Sequence, residues 1–329
     1  MMIVMPTEKH DRILGYLIPL VNILETYPQG NRKDERKERK IRLIHLLPAF
    51  LSVFYAFIGT YLLVASRVGL ELEGPFSKEE TISATILNLT YFVILVLIGT
   101  ILLLILVKMR KMRIINIFYL VAMFLLGIVI YELYFASLII ILNANLMDEI
   151  ILLVSLILSA ISAFLIFMSK NEKILLIILT LYGGLSGPLF SFMLPMWSIF
   201  AIAIVLSIYD LYSVFYGPLK VIINEIFSGN EKSGSENSDR GVPPIRGALV
   251  PIGGLNIGLG DIFFYSLLSS AAIIYPYFSL IRGFNVSLSI LLGNYITLKL
   301  LERCRYLPAL PIPILLGTLV QMIFMVLKV

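Results

Sequence analysis

A single cysteine, Cys304, excludes an internal disulfide and a cysteine-rich metal site. Only two histidines are present, His10 and His45, which argues against a histidine-based metal centre or catalytic triad. Charge is scarce as well: 14% of residues are charged and 59% are hydrophobic. With a mean hydropathy of +0.95, the chain is far too apolar for one soluble core. The formal net charge of +5 says little about partners, because the basic residues cluster beside apolar runs. No metal, no cofactor and no nucleic-acid partner is expected.

A cleavable signal peptide is not expected either. The first long apolar run begins after residue 40, behind a strongly charged segment, which is the wrong order for such a signal. The run from Ile13 to Leu24 is interrupted by Pro19 and Asn22 and is too short to span. It reads as a membrane-surface or packing segment.

What remains is a series of long apolar runs. About 20 apolar residues in helical form cross the hydrocarbon of a bilayer. Nine spans are expected, over approximately 42–65, 83–107, 114–142, 149–168, 174–195, 196–216, 255–279, 285–300 and 311–327. The fold class is therefore an all-α polytopic membrane protein. Its expected organisation is a basic leader over 1–41, helices 1–5 over 42–195 and helix 6 over 196–216. A loop with a partly flexible composition follows over 217–254, then helices 7–9 over 255–329. With the N-terminus in the cytoplasm, 22 of the 26 Lys and Arg fall on the leader together with Arg42 at its edge and on four inner connections. Only Arg67, Lys78, Arg282 and Lys328 fall elsewhere, an asymmetry that fits the positive-inside rule.

Two aspartates interrupt this apolar pattern, Asp210 in Ile208-Tyr209-Asp210-Leu211 and Asp261 in Gly258-Leu259-Gly260-Asp261. An ionisable side chain at membrane depth costs roughly 2.5–3.5 kcal/mol on insertion scales, which makes it a functional-site hypothesis by default. The inferred topology places both at about the same depth, roughly 10 Å from the cytoplasmic face, on helices running in opposite directions. Gly258 and Gly260 lack side chains and admit close approach of another backbone. Pro308-Ala309-Leu310-Pro311 stands at the cytoplasmic start of the ninth span, where proline is an ordinary helix-start signal. Two prolines three apart also keep the preceding stretch extended.

In that order on spans six, seven and nine, Tyr209-Asp210, Gly258-Leu259-Gly260-Asp261 and Pro308-Ala309-Leu310-Pro311 resemble the presenilin and signal peptide peptidase family of intramembrane aspartyl proteases. The short chain looks most like compact archaeal-type homologues, with the N-inside orientation of presenilin. The resemblance implies that Asp210 and Asp261 form the catalytic pair. Tyr209, Gly258, Leu259, Gly260, Pro308, Ala309, Leu310 and Pro311 would shape the site. It also implies transmembrane polypeptide substrates, a bilayer location with the site toward the cytoplasm, and no obligate accessory subunit, a homo-oligomer being allowed.

Two carboxyls meeting in a low dielectric share a proton, which suits activation of water and protonation of the leaving amine. A helical substrate must unwind before cleavage, and Ala248-Leu249-Val250 and Leu310 are candidate edges for an extended segment. Leu219 to Phe227 reads as a surface segment and Ser228 to Arg240 as a tether. A prepilin-type peptidase also carries a glycine-x-glycine-aspartate motif but not the other two elements. A proton-coupled transporter or channel predicts internal repeats, and none is evident. Among other intramembrane polar residues, Glu132 reads as interfacial or paired. Asn88, Asn294 and Gln321 read as interhelical hydrogen-bonding groups, and His45 as a headgroup-region residue. The Gly183-Gly184 and Gly187-Pro188 sites fit close packing or a hinge equally.

Overall fold

The computed structural model describes residues 42–109, 112–215, 246–302 and 307–327. The leader, the surface segment over 219–227 and the tether over 228–240 lie outside the described residues. Among the described residues there are nine long helices: α1 Leu47–Ala65, α2 Ile82–Lys108, α3 Met112–Ile141, α4 Asp148–Met168, α5 Glu172–Met193, α6 Met196–Phe215, α7 Leu259–Ile274, α8 Leu280–Leu301 and α9 Pro311–Val326. A 3-10 turn, Leu43–Leu46, leads into α1, and a one-turn helix, Val68–Glu71, follows it. Starts follow local chemistry. The Thr81 side chain accepts from the Ala84 N–H at α2, Ser279 accepts from the Arg282 N–H at α8, and α9 opens on Pro311.

Seven of the helices, α1 to α6 and α8, are long and apolar enough to cross a membrane. The chain is a multi-pass membrane protein. The other two, α7 and α9, have 16 residues each. At 1.5 Å per residue each extends about 24 Å, short of the ~30 Å hydrocarbon thickness. Each is short for the same reason: the segment before it is not helical.

The expected seventh span, 255–279, differs accordingly. Leu255–Gly258 is a strand, β2, paired antiparallel with β1, Leu249–Ile252, so a small hairpin leads directly into α7. Ile252 faces Leu255 across a two-residue turn whose glycines both have positive φ, 54° at Gly253 and 83° at Gly254. That turn matches the right-handed twist of the strands and is accessible to glycine at little cost. Helix α7 then runs only from Leu259 to Ile274.

Helix α7 is the centre of the bundle. Ile262 and every residue from Phe264 to Ile273 are buried, with α5, α1 and α8 packed around it and α9 and α6 completing the enclosure. Small residues permit this closeness. A Cβ on Gly187 would lie 2.5 Å from the Leu267 backbone nitrogen, and one on Gly183 would lie 2.8 Å from Ile262. Both α5 glycine sites therefore serve packing. Hydroxyls tie the helices together: Ser52 Oγ donates to Ile262 O at 2.6 Å, and Ser270 Oγ lies 2.6 Å from Thr60 Oγ1 and 2.7 Å from Ser191 Oγ.

Several polar residues take places that the sequence alone did not indicate. Asn88 makes the expected interhelical bond, donating to Ser198 Oγ at 3.0 Å. Asn294 Nδ2 and both amide atoms of Gln321, by contrast, are buried with no hydrogen-bond partner among the described residues. His45 is buried, with its ring under the hairpin turn: a Cβ on Gly253 would lie 2.9 Å from Nε2. Glu132 is exposed on α3. Arg282 is 1% exposed; its Nε donates to Ala272 O at 2.8 Å and its other arm reaches Tyr277 O. The guanidinium also lies 4.7 Å from the Tyr277 ring centre, so this cation closes the C-terminal end of α7.

Candidate active site

Three chain segments converge at one end of α7. Asp210 sits near the C-terminal end of α6 and Asp261 in the first turn of α7, both half-buried. The third segment is Leu307–Leu310, leading into α9, with Pro308, Leu310 and Pro311 buried and Ala309 half-buried. The two carboxyls are close enough to interact electrostatically.

Backbone lies against both aspartates. The Leu310 N–H donates to Asp210 Oδ2 at 3.3 Å, and the Ala309 N–H is directed at the same carboxyl. Asp261 is the third residue of α7, and its carboxyl lies beside Gly258, the residue that caps the helix. This is the position from which a capping-box side chain faces the cap residue, with aspartate in the place of the usual glutamate. It explains Gly258 physically, because a Cβ there would lie 2.9 Å from Asp261 Oδ2. Gly260 serves a different purpose: nothing lies within 4 Å of where its Cβ would stand, and it is exposed. Leu259 is anchored by its N–H to Ala248 O at 2.9 Å, and its side chain meets Gly183 of α5.

Tyr209 donates to Thr100 Oγ1 of α2 at 3.3 Å. Thr100 lines a cavity of about 250 Å³ between α2 and α3, together with Val96, Gly99, Leu103, Ile115 and Tyr119. Tyr265, one turn beyond Asp261, is a site residue that the sequence reading missed. It is fully buried, its hydroxyl donates to Ala309 O at 2.9 Å, and it interacts electrostatically with both aspartates. The i, i+4 spacing from Asp261 was the available signal. The hairpin was missed as well, although Gly253-Gly254 between two apolar runs is a recognised hairpin signature.

The presenilin family model matches residues 227–328, the part of the chain that carries Asp261 and the proline motif. Presenilin-B of Dictyostelium discoideum is 38% identical over 129 residues, covering 38% of this chain and 25% of that relative. The fold is similar to a presenilin family intramembrane aspartate protease solved in space groups C222 and P2, with a TM-score of 0.58 to each. Those alignments cover 86% and 88% of this chain and 99% of the solved chain in both cases, at 15% and 14% identity.

Over residues 227–328 the chain is similar to presenilins, and it spans 25% of the length of the curated relative it matches. Sequence likeness to presenilin is thus concentrated in the C-terminal third, whereas the likeness in fold extends over most of the chain.

Proposed function

We propose that this presenilin-like chain is an intramembrane aspartyl protease that hydrolyses a peptide bond within a transmembrane polypeptide segment. The observation that carries the reading is the convergence of Asp210, at the end of α6, and Asp261, at the start of α7, with the Leu310 N–H donating to Asp210. Two carboxyls so close share one proton. The ionised member takes a proton from water as the water oxygen attacks the scissile carbonyl carbon. The protonated member donates to the carbonyl oxygen. Collapse of the tetrahedral intermediate breaks the C–N bond, with a proton delivered to the leaving amine.

The substrate must present an extended segment, and the outer edge of β2 supports its docking. The register and the Leu259-to-Ala248 hydrogen bond leave Asn256 and Gly258 in non-hydrogen-bonded pairs, with their peptide groups pointing outward. Asn256 is exposed, and Gly258 adjoins Asp261. The edge favoured from sequence, Ala248-Leu249-Val250, belongs to the inner strand, which packs on α5. Addition of a substrate strand to β2 would bring its carbonyls past the aspartates.

In this reading all nine helices cross the bilayer, and the N-terminus and the site lie toward the cytoplasm, as the distribution of Lys and Arg supports. The two short helices fit it too, since non-helical backbone at membrane depth is tolerated where protein buries it or water lines it. The test is cleavage of a single-span reporter by the purified protein in lipid vesicles. Cleavage by the parent protein, lost with Asp210→Ala and with Asp261→Ala separately, is expected. Activity surviving either substitution would overturn the assignment of the pair.

A further inference from the structure

We infer that Tyr265 is a positioning residue for the aspartate pair, clamping the peptide plane between Ala309 and Leu310. One peptide unit is held at both ends: its oxygen accepts from the Tyr265 hydroxyl at 2.9 Å and its N–H donates to Asp210 Oδ2 at 3.3 Å. In a trans peptide the C=O and N–H point in opposite directions, so this single plane bridges α7 on one side and α6 on the other. Tyr265 and Asp261 lie one turn apart on the same helix. The phenol therefore fixes the proline segment relative to Asp261, and the segment in turn fixes Asp210. A hydrogen bond at the carbonyl oxygen also polarises the attached N–H, strengthening its donation to the carboxyl.

Any buried phenol in this core needs an acceptor, and a purely structural bond would satisfy that need. Two features distinguish the positioning role. The accepting carbonyl belongs to the same peptide as the N–H on Asp210, and the ring lies within electrostatic range of both carboxyls.

The kinetic part of this inference rests on the protease reading, and the structural part does not. The test is Tyr265→Phe in the full chain, which keeps the buried ring and removes only the hydroxyl. With a single-span reporter, kcat should fall about 10-fold or more while KM stays within about twofold, as expected when an interaction that acts through the transition state is lost. In parallel, hydrogen–deuterium exchange should show the Leu310 amide exchanging about 10-fold faster, one hydrogen bond's worth of protection. The melting temperature should stay close to that of the parent. An unchanged kcat, or a uniform loss of stability without the kinetic change, would overturn the positioning role. If the parent protein cleaves nothing, the protease reading fails, and the exchange measurement still decides the clamp: an unchanged Leu310 rate sinks it.

Discussion

The Leu310 N–H donates to Asp210 Oδ2 at 3.3 Å, joining two residues that stand 100 positions apart. The proline motif thereby has a physical role beyond starting a helix. Pro308 and Pro311 fix the backbone on either side of two donors, and both donors face one carboxyl.

Removing the Leu310 donor should therefore cost activity more than folding. Leu310 has φ −77°, which proline can adopt, so Leu310→Pro deletes the N–H with little backbone strain. A hydrogen bond to a charged group contributes about 1.5–3 kcal/mol, or roughly 10- to 150-fold in rate. Leu310→Ala removes the same buried side chain and keeps the N–H. We expect reporter cleavage to fall by that factor for Leu310→Pro relative to Leu310→Ala. Equal rates in the two variants would show the donor to be unimportant.

The two glycines of the aspartate motif should respond differently to alanine. At Gly258, φ −63° and ψ 136° suit alanine, so the only obstacle is Asp261 Oδ2 at 2.9 Å. Gly258→Ala should displace the carboxyl and lower kcat about 10-fold or more, with a stability change of about 1 kcal/mol or less. Gly260→Ala meets open space, so the melting temperature should hold. Because that space lies beside the proposed docking edge, the expected effect is a rise in KM. Thermal unfolding and reporter kinetics on the two variants separate these outcomes.

Strand addition makes a prediction about which edge matters. Asn256 and Leu249 both occupy non-hydrogen-bonded positions of the hairpin, so proline at either site leaves the hairpin ladder intact. Asn256→Pro removes an outward donor on the edge beside Asp261, whereas Leu249→Pro removes one on the strand that faces α5. Cleavage should fall several-fold with the first change and stay near the parent rate with the second. The reverse order would assign docking to β1.

Much of this architecture was readable in the sequence, and the parts that were not share a cause. Apolar runs show where helices lie because the bilayer imposes length and composition, and the costly aspartates announce themselves for the same reason. The β2 residues Leu255 and Ile257 are also apolar, so hydropathy extended the seventh span over them, although Gly253 and Gly254 impose a turn. His45 and Arg282 reverse the usual expectation for polar groups near a membrane surface: both are buried, one under the hairpin turn and one at the end of α7. Tyr265 was hidden because a tyrosine in an apolar run looks like packing. Its partner, Ala309, is 44 residues away and meets it only in the folded chain.

Arg282 offers a stability test that should spare the chemistry. Its guanidinium is 1% exposed and supplies donors to Ala272 O and Tyr277 O where α7 ends. Methionine at this position would fill a similar volume, but it would leave those carbonyls without their donors and remove the contact with the Tyr277 ring. Each buried acceptor left unpaired costs about 1–3 kcal/mol, so Arg282→Met should destabilise the fold by about 2–4 kcal/mol. Lysine would keep the charge but not the planar fork, and should fall between the two. Ala272 lies about 16 Å along α7 from Asp261, at 1.5 Å per residue, too far for a direct effect on the carboxyls. The expected result is a lower melting temperature with an unchanged kcat per folded molecule. A kcat loss without a drop in melting temperature would mean that the outer end of α7 is coupled to the site.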